Sequence, residues 1–147
     1  MALFVLSLAP LAHAVDTGSN LAGYWPLNEG TGNLTFDSSG NNNAGTLTNG
    51  ATWAVPGQLG NAVRLDGTDD HVRLPDNMNI IQATSTLTMA AWIKQSALDG
   101  NIRNLIWMSI GTANGNARAA LAVMNTGRIR MGARSNDTDA FQSLTLT

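Results

Sequence analysis

The sequence predicts an all-β protein, an antiparallel β-sandwich or jelly roll. Short apolar or alternating runs recur along the chain with turn-forming residues between them, as is typical of these folds. Gly accounts for 15 of 147 residues, and Asn clusters between the apolar runs, which indicates many turns. The chain has about the length of one domain, so we expect one sizeable core.

Five runs in the first half of the chain are predicted strands, and a long polar loop, Asn28–Asn43, follows the first of them. The last two flank a turn that contains Gly67, and this arrangement predicts a β-hairpin. The predicted strands are Leu21–Leu27, Gly45–Leu47, Ala51–Ala54, Ala62–Leu65 and His71–Leu74.

Leu87–Lys94 alternates with period two and predicts a strand in which Ala90 and Trp92 are buried along with the apolar positions between them. Leu105–Ile110 is continuously apolar, as expected of a central strand of a sandwich. The next segment, 117–124, has strong helix propensity. Turn residues frame its eight positions closely, and this favours a strand. The series ends with predicted strands around 128–133 and at Phe141–Thr147.

Both ends of the chain carry further predictions. Residues 1–14 are almost wholly apolar up to Leu11 and end in Ala12-His13-Ala14, a cleavage pattern typical of a signal peptide. The mature protein then begins near Val15 and is secreted; the alternative is a buried first strand. At the other end, Phe141–Thr147 is a strand without a closing turn. We therefore expect 15–147 to be the N-terminal portion of a domain that is incomplete at its C-terminus.

Charge and composition exclude several classes of protein. Only 12% of residues are charged and the net charge is −2, which argues against a nucleic-acid partner. The absence of cysteine excludes disulfides and thiolate chemistry. The apolar N-terminal run is too short to span a membrane, so we expect no membrane insertion. Residues 1–80 hold seven acids and two bases, and the rest hold three acids and six bases. These opposite charges could pair across neighbouring strands of a sheet.

Four stretches, in this order and spacing, resemble the laminin-G-like, concanavalin A-type jelly-roll modules of secreted bacterial proteins. They extend over most of the chain between Leu21 and Met131. The resemblance implies a concanavalin A-like jelly roll, a secreted ligand-binding role directed at carbohydrate, and often a bound calcium ion. Much of the shared pattern is scaffold, which does not by itself establish function. The stretches are Leu21–Gly32, Phe36–Leu47, Val63–Pro75 and Leu87–Lys94.

Oxygen-bearing side chains in two loops make calcium the candidate cofactor. Calcium takes six to eight oxygen ligands from carboxylates, amides and carbonyls. The alternative is that these residues form turns and bond their own backbone. For Asp69 and Asp70, a partly buried pair near Arg64 or Arg73 is an equally open alternative. The candidate metal ligands are Asp37, Asn41, Asp69 and Asp70.

Trp53 and Trp107 are the candidate sugar-stacking residues, because they are the least obviously buried aromatic side chains; core packing is the alternative for each. The sequence gives little support for catalysis. Glu29 is the sole glutamate, and no predicted strand carries alternating acids of the kind that glycoside hydrolysis needs. His71 is the one histidine beyond the signal segment, too few for a triad or a zinc site.

These observations favour a non-catalytic binding module whose partner is a glycan or an extracellular protein. Two other functions stay open. One is a structural or protein-binding spacer within a larger surface protein. The other is the N-terminal part of a jelly-roll glycoside hydrolase whose acidic residues lie beyond Thr147.

Overall fold

The computed structural model describes residues 2–4, 21–54, 56–76, 78, 87–96, 98–109, 117–133 and 142–145. Within these residues the protein is all-β, with antiparallel sheets and no helix. None of the described residues forms a helix long and apolar enough to cross a membrane. The strands are β1 Ala2–Phe4, β2 Leu34–Thr35, β3 Gly45–Thr48, β4 Thr52–Ala54, β5 Ala62–Arg64, β6 His71–Arg73, β7 Trp92–Lys94, β8 Arg103–Ser109, β9 Ala117–Val123, β10 Ile129–Ala133 and β11 Gln142–Thr145.

The chain divides into two compact units, one built from 1–80 and 90–96 and the other from 81–89 and 97–147. Among the described strands, the first unit contains two sheets. One has the strand order β4-β5-β1-β7 and the other has the order β2-β3-β6. The described strands of the second unit form one sheet with the order β11-β10-β9-β8.

The first unit has a compact apolar core. Its buried members are Leu27, Leu47, Val63 and Leu65, and Val63 is fully buried. Partly buried side chains pack against this cluster, and burial of their apolar area is the main term that stabilises it. These are Trp25, Ala51, Trp53 and Val72.

The second unit buries small side chains on its central strands. Ala119, Ala120, Ala122 and Val123 of β9 are buried, and so is Leu105 of β8. Neighbouring groups therefore cover the second half of β9. The prediction of a strand for 117–124 is confirmed, because the pairing of β9 with both β8 and β10 overrides its helix propensity.

A tight turn joins β9 to β10, as the turn residues predict. Gly127 has a φ of 81°, a conformation that favours glycine. The Gly127 amide donates to the Met124 carbonyl at 2.9 Å, and the Met124 amide donates to the Arg128 carbonyl at 2.8 Å.

Two predictions about pairing are wrong. Residues 62–65 and 71–74 do not form a hairpin, because β5 pairs with β4 and β1 whereas β6 pairs with β3 in another sheet. Leu21–Leu27 is not a strand. The Tyr24 amide donates to the Asp37 carboxylate at 2.9 Å and its carbonyl accepts from Ser38 at 2.7 Å, so loop contacts take the place of a strand partner.

Two predictions about burial and sheet position are also wrong. Trp92 is 44% exposed, because β7 lies at one end of its sheet among the described strands, and Ala90, just before this strand, is exposed as well. The preceding residues 87–91 are not part of that strand. Strand β8 is likewise at an end of the described sheet and not central.

Strand β1 comes from the segment predicted as a signal peptide. It pairs with β5 on one side and with β7 on the other, in the register Leu3 to Val63 and Leu3 to Ile93. This is the arrangement that the alternative, a first strand, requires. The predicted cleavage site at 12–14 lies outside the described residues, so the signal peptide stays a prediction.

Candidate functional site

Trp107 is an exposed aromatic side chain of the second unit. This side chain is 49% exposed although it lies within a seven-residue strand, β8. In the register of the sheet, Trp107 is opposite Ala120 of β9, and Ala120 is opposite Gly132 of β10. Residues opposite each other across a sheet project from the same face. Because its two row neighbours are small, the indole is the largest group in its row.

The adjacent row of the same face is polar. Asn104 is opposite Ala122, which is opposite Arg130. Asn104 and Trp107 share a face although they are three residues apart, because the pairing of β8 with β9 shifts by one residue between Asn104 and Ile106. Asn104 is exposed and Arg130 is half-buried. We call the surface formed by Asn104, Trp107, Ala120, Ala122, Arg130 and Gly132 the Trp107 face.

The Trp107 face combines the groups that a sugar site needs. An exposed indole offers a flat apolar surface with a polar edge. Asn104 can donate and accept hydrogen bonds, and the Arg130 guanidinium can only donate. Within the strands β8 to β11 the sequence contains no Asp or Glu. Trp107 and Asn104 are the exposed members of the face, whereas Ala120, Ala122 and Gly132 are buried. The indole can therefore stack on a ring at the exposed part of the face, beside the Asn104 amide.

Trp53, the other candidate sugar-stacking residue, has a structural environment. It is partly buried against the core cluster of the first unit. Its indole Nε1 donates to the Gly32 carbonyl at 2.8 Å. The indole therefore holds the segment before β2 against the core. This agrees with core packing, the alternative stated for Trp53 in the sequence analysis.

The prediction of one loop over Asn28–Asn43 is wrong in part, because β2 lies within it and pairs with β3. Asp37 organises the polar loop that follows β2, 36–43. One carboxylate oxygen accepts from the amides of Tyr24 and Ser39, each at 2.9 Å, and the other accepts from Asn43 at 3.1 Å. Burial raises the pKa of Asp37, but the hydrogen bonds from Ser39, Tyr24 and Asn43 outweigh it and hold that pKa below its ordinary value. Asn41 ties the same loop to the Leu21 carbonyl at 2.7 Å. Both residues act here as turn and loop formers.

Asp69 and Asp70 lie in the connection between β5 and β6. The structure brings them together with Asp66, and one carboxylate oxygen from each lies within 4.8 Å of the others. The Asp66 amide donates to Asp70 at 2.8 Å, and Asp66 accepts from the Thr68 amide at 2.7 Å. The Thr68 hydrogen bond is the main reason that the pKa of Asp66 lies below its ordinary value.

Arg73, one of the two arginines expected near Asp69 and Asp70, pairs with a different carboxylate. Arg73 binds Asp76 through both carboxylate oxygens, at 2.9 and 3.1 Å. The predicted metal residues thus fall into two sets. Asp69 and Asp70 belong to the acidic group, whereas Asp37 and Asn41 belong to a separate hydrogen-bonded loop.

A shallow cleft of about 500 Å³ in the first unit was not predicted. Glu29 lines it, with one carboxylate oxygen accepting from Phe36 at 2.7 Å and from Thr35 at 3.1 Å. The exposed ring of Phe36 also lines the cleft. Residues that are close in sequence form it, but only the bend around β2 brings their side chains together, and periodicity does not indicate such a bend.

Comparisons with known proteins give a structural neighbour. The chain is similar to the crystal structure of a fragment of an S-layer domain-containing protein from Clostridium thermocellum. The TM-score is 0.65 and the sequence identity 25%, over 84% of this chain. The chain spans 55% of the length of that structure. No protein-family profile and no curated protein sequence matches the chain.

Proposed function

We propose that the chain is a non-catalytic, glycan-binding module of a secreted or cell-surface protein, folded as a concanavalin A-like jelly roll. The observation that carries the proposal is Trp107, an indole that is half-exposed on the face of a strand next to small residues. Exposing an aromatic ring of this size has a cost in apolar hydration unless a ligand covers it. A pyranose ring, with one apolar face and a rim of hydroxyl groups, fits this surface.

The structural neighbour supports the location. That neighbour is a fragment of an S-layer domain-containing protein, and a surface role for the present chain agrees with the predicted signal segment. A binding module at the cell surface meets polysaccharides directly.

The first test is a glycan array probed with the whole chain, followed by calorimetric titration of each glycan that binds. Trp107→Ala should lower affinity at least about fivefold, since stacking on an indole is worth roughly 1 kcal/mol or more. Trp92→Ala is the matched control, because this indole is 44% exposed but lies in another sheet. An array without any bound glycan, or equal losses in both variants, would contradict the proposal.

Calcium is a further part of the proposal, placed at the acidic group in the connection between β5 and β6. Three carboxylates within 4.8 Å of one another fit the preference of calcium for oxygen ligands and would supply part of its shell. When bound, the ion would neutralise the repulsion among these carboxylates. The side chain of Asp69 is exposed there, whereas Asp37 already accepts three backbone hydrogen bonds elsewhere.

The structural neighbour also favours a second candidate function, a structural or protein-binding module of a surface layer. Such a module would bind an extracellular protein through its surface and would not respond to sugar. Capture of one defined surface protein by the chain, unaffected by added saccharides, would favour this function over glycan binding.

A further inference from the structure

The turn between β3 and β4 combines an asparagine with a following glycine. Asn49 and Gly50 are both exposed, and their φ angles are 60° and 110°. Positive φ at both central residues is typical of a type I′ turn, for which Asn-Gly is the preferred pair. The Ala51 amide closes the turn on the Thr48 carbonyl at 3.3 Å, which is longer than an ordinary backbone hydrogen bond. The turn is thus exposed and weakly closed.

The atoms that react when an asparagine deamidates are held loosely here. Among the hydrogen bonds of the described residues, none engages the Gly50 amide nitrogen. Glycine carries no side chain, so nothing hinders this nitrogen as it approaches the neighbouring amide group. Asn49 Nδ2 donates to the Asp69 carbonyl at 3.2 Å, again a long bond. Opening this bond and the turn requires only a local fluctuation, which leaves the strands in place.

The same turn lies against the acidic group in the connection between β5 and β6. A Cβ atom built on Gly50 would lie 3.0 Å from Asp70 Oδ1, and Asn49 binds Asp69. Asp69 and Asp70 form the acidic group together with Asp66. Conversion of the Asn49 amide to a carboxylate removes the donor that binds Asp69. It also adds a negative charge beside three others, and like charges at close range repel each other.

We propose that Asn49 is a site of spontaneous deamidation, and that its product detaches the turn between β3 and β4 from the acidic group. The Gly50 nitrogen loses its proton to hydroxide and attacks Asn49 Cγ. An N–Cγ bond forms, the Cγ–Nδ2 bond breaks, and ammonia leaves with a proton taken from water, which regenerates the hydroxide. Water then opens the resulting succinimide at either carbonyl and gives aspartate or isoaspartate. The net reaction exchanges one water for one ammonia, and it is independent of glycan binding.

Peptide mapping by mass spectrometry tests the modification. The whole chain is incubated in chelator, folded and in urea, in mildly acidic and in mildly alkaline buffer. We expect Asn49 of the folded chain to react faster in the alkaline buffer, and within about tenfold of its rate in urea, because opening an exposed turn costs little free energy. Asn42 is the internal control, since it is exposed with a φ of 59° but precedes Asn43 and not glycine. If Asn49 reacts only in urea, or if Asn42 reacts equally fast, the proposal is overturned.

Two variants measure what the product does to the fold. Asn49→Asp carries the new charge, whereas the matched variant Asn49→Gly removes the donor without adding charge and accepts the positive φ. In chelator we expect Asn49→Asp to lower Tm by about 2–4 °C and by more than Asn49→Gly does. The excess should shrink at about 0.5 M salt, because salt screens exposed charges. A Tm of Asn49→Asp equal to or above that of Asn49→Gly would overturn the proposed detachment from the acidic group.

Discussion

At the scale of single residues, side-chain hydrogen bonds hold the polar loop 36–43 against residues 21–25, which do not form a strand. Asp37 accepts hydrogen bonds from three backbone amides, and Trp25 Nε1 donates to the Asn43 carbonyl at 2.7 Å. Leu27, which is 1% exposed, has a φ of 57°. A bulky residue in this conformation is strained, and its burial in the core offsets the strain. Contacts between residues far apart in sequence thus hold this part of the backbone in place.

The Asp37 hydrogen bonds predict an acid-sensitive stability. Since the pKa of Asp37 is lowered in the folded protein, its contribution is full above the unfolded value near pH 4 and is lost as the pH falls through the folded value. Asp37→Asn should lower the free energy of unfolding by about 1–2 kcal/mol at pH 7, and by less near pH 3. Urea unfolding at both pH values measures this difference.

Asp76→Asn is the control for that measurement. Asp76 pairs with Arg73, but its side chain is 84% exposed, and exposed ion pairs contribute little. We expect a change of less than about 0.5 kcal/mol. A loss in Asp37→Asn that is equally large at pH 3 and pH 7 would show that the charge of Asp37 does not matter.

At the scale of elements, the sheet β2-β3-β6 depends on a close approach at Gly45. A Cβ atom at this position would lie 2.9 Å from Thr35 Cγ2 and 2.9 Å from Val72 Cγ1. Thr35 is fully buried, so it has little room to move away. Glycine is required at Gly45 by packing between strands.

Gly45→Ala should therefore destabilise the protein by about 1–3 kcal/mol, as overpacking of a core usually does. Thermal or urea unfolding measures the loss. A double-mutant cycle with Val72→Ala is the control, because removing the methyl groups of Val72 gives the new Cβ atom space, and the two effects should then be less than additive. Additive losses would mean that the substitution acts through the backbone.

The strand predictions were right where the hydrophobic pattern and the turn residues indicate the same structure. The Asn125–Gly127 turn and the strands on both sides of it follow from local residues, because the turn chemistry and the register act over a few positions. The hairpin at 66–70 was wrong, although its sequence has the same signature. There the strands on either side of the turn pair with strands of two different sheets, and this pairing depends on residues far away in the sequence.

At the scale of the whole molecule, calcium should act on stability through mass action. If the ion binds the acidic group of Asp66, Asp69 and Asp70 only in the folded state, calcium at a hundred times its Kd raises the free energy of unfolding by about 2.7 kcal/mol. Thermal melts of the whole chain, in calcium and in chelator, should then differ in Tm.

Asp69→Asn should abolish this difference in Tm, because it removes one of the three carboxylates while leaving the Asp69 carbonyl that accepts from Asn49 at 3.2 Å. Asp37→Asn should retain the difference, since Asp37 is not a member of the acidic group. If Asp37→Asn removes the calcium response and Asp69→Asn does not, the ion binds at the polar loop instead.

The sequence by itself determined that this protein is all-β, where most of its strands lie and that Trp107 is a candidate binding residue. Period-two patterning and turn residues are local signals, because each depends only on a few neighbouring positions of the chain. Tertiary structure alone decided which strands pair, that Trp53 is packed while Trp107 is exposed, and that Arg130 shares a face with Trp107. These depend on register and burial, which arise from contacts between residues distant in sequence.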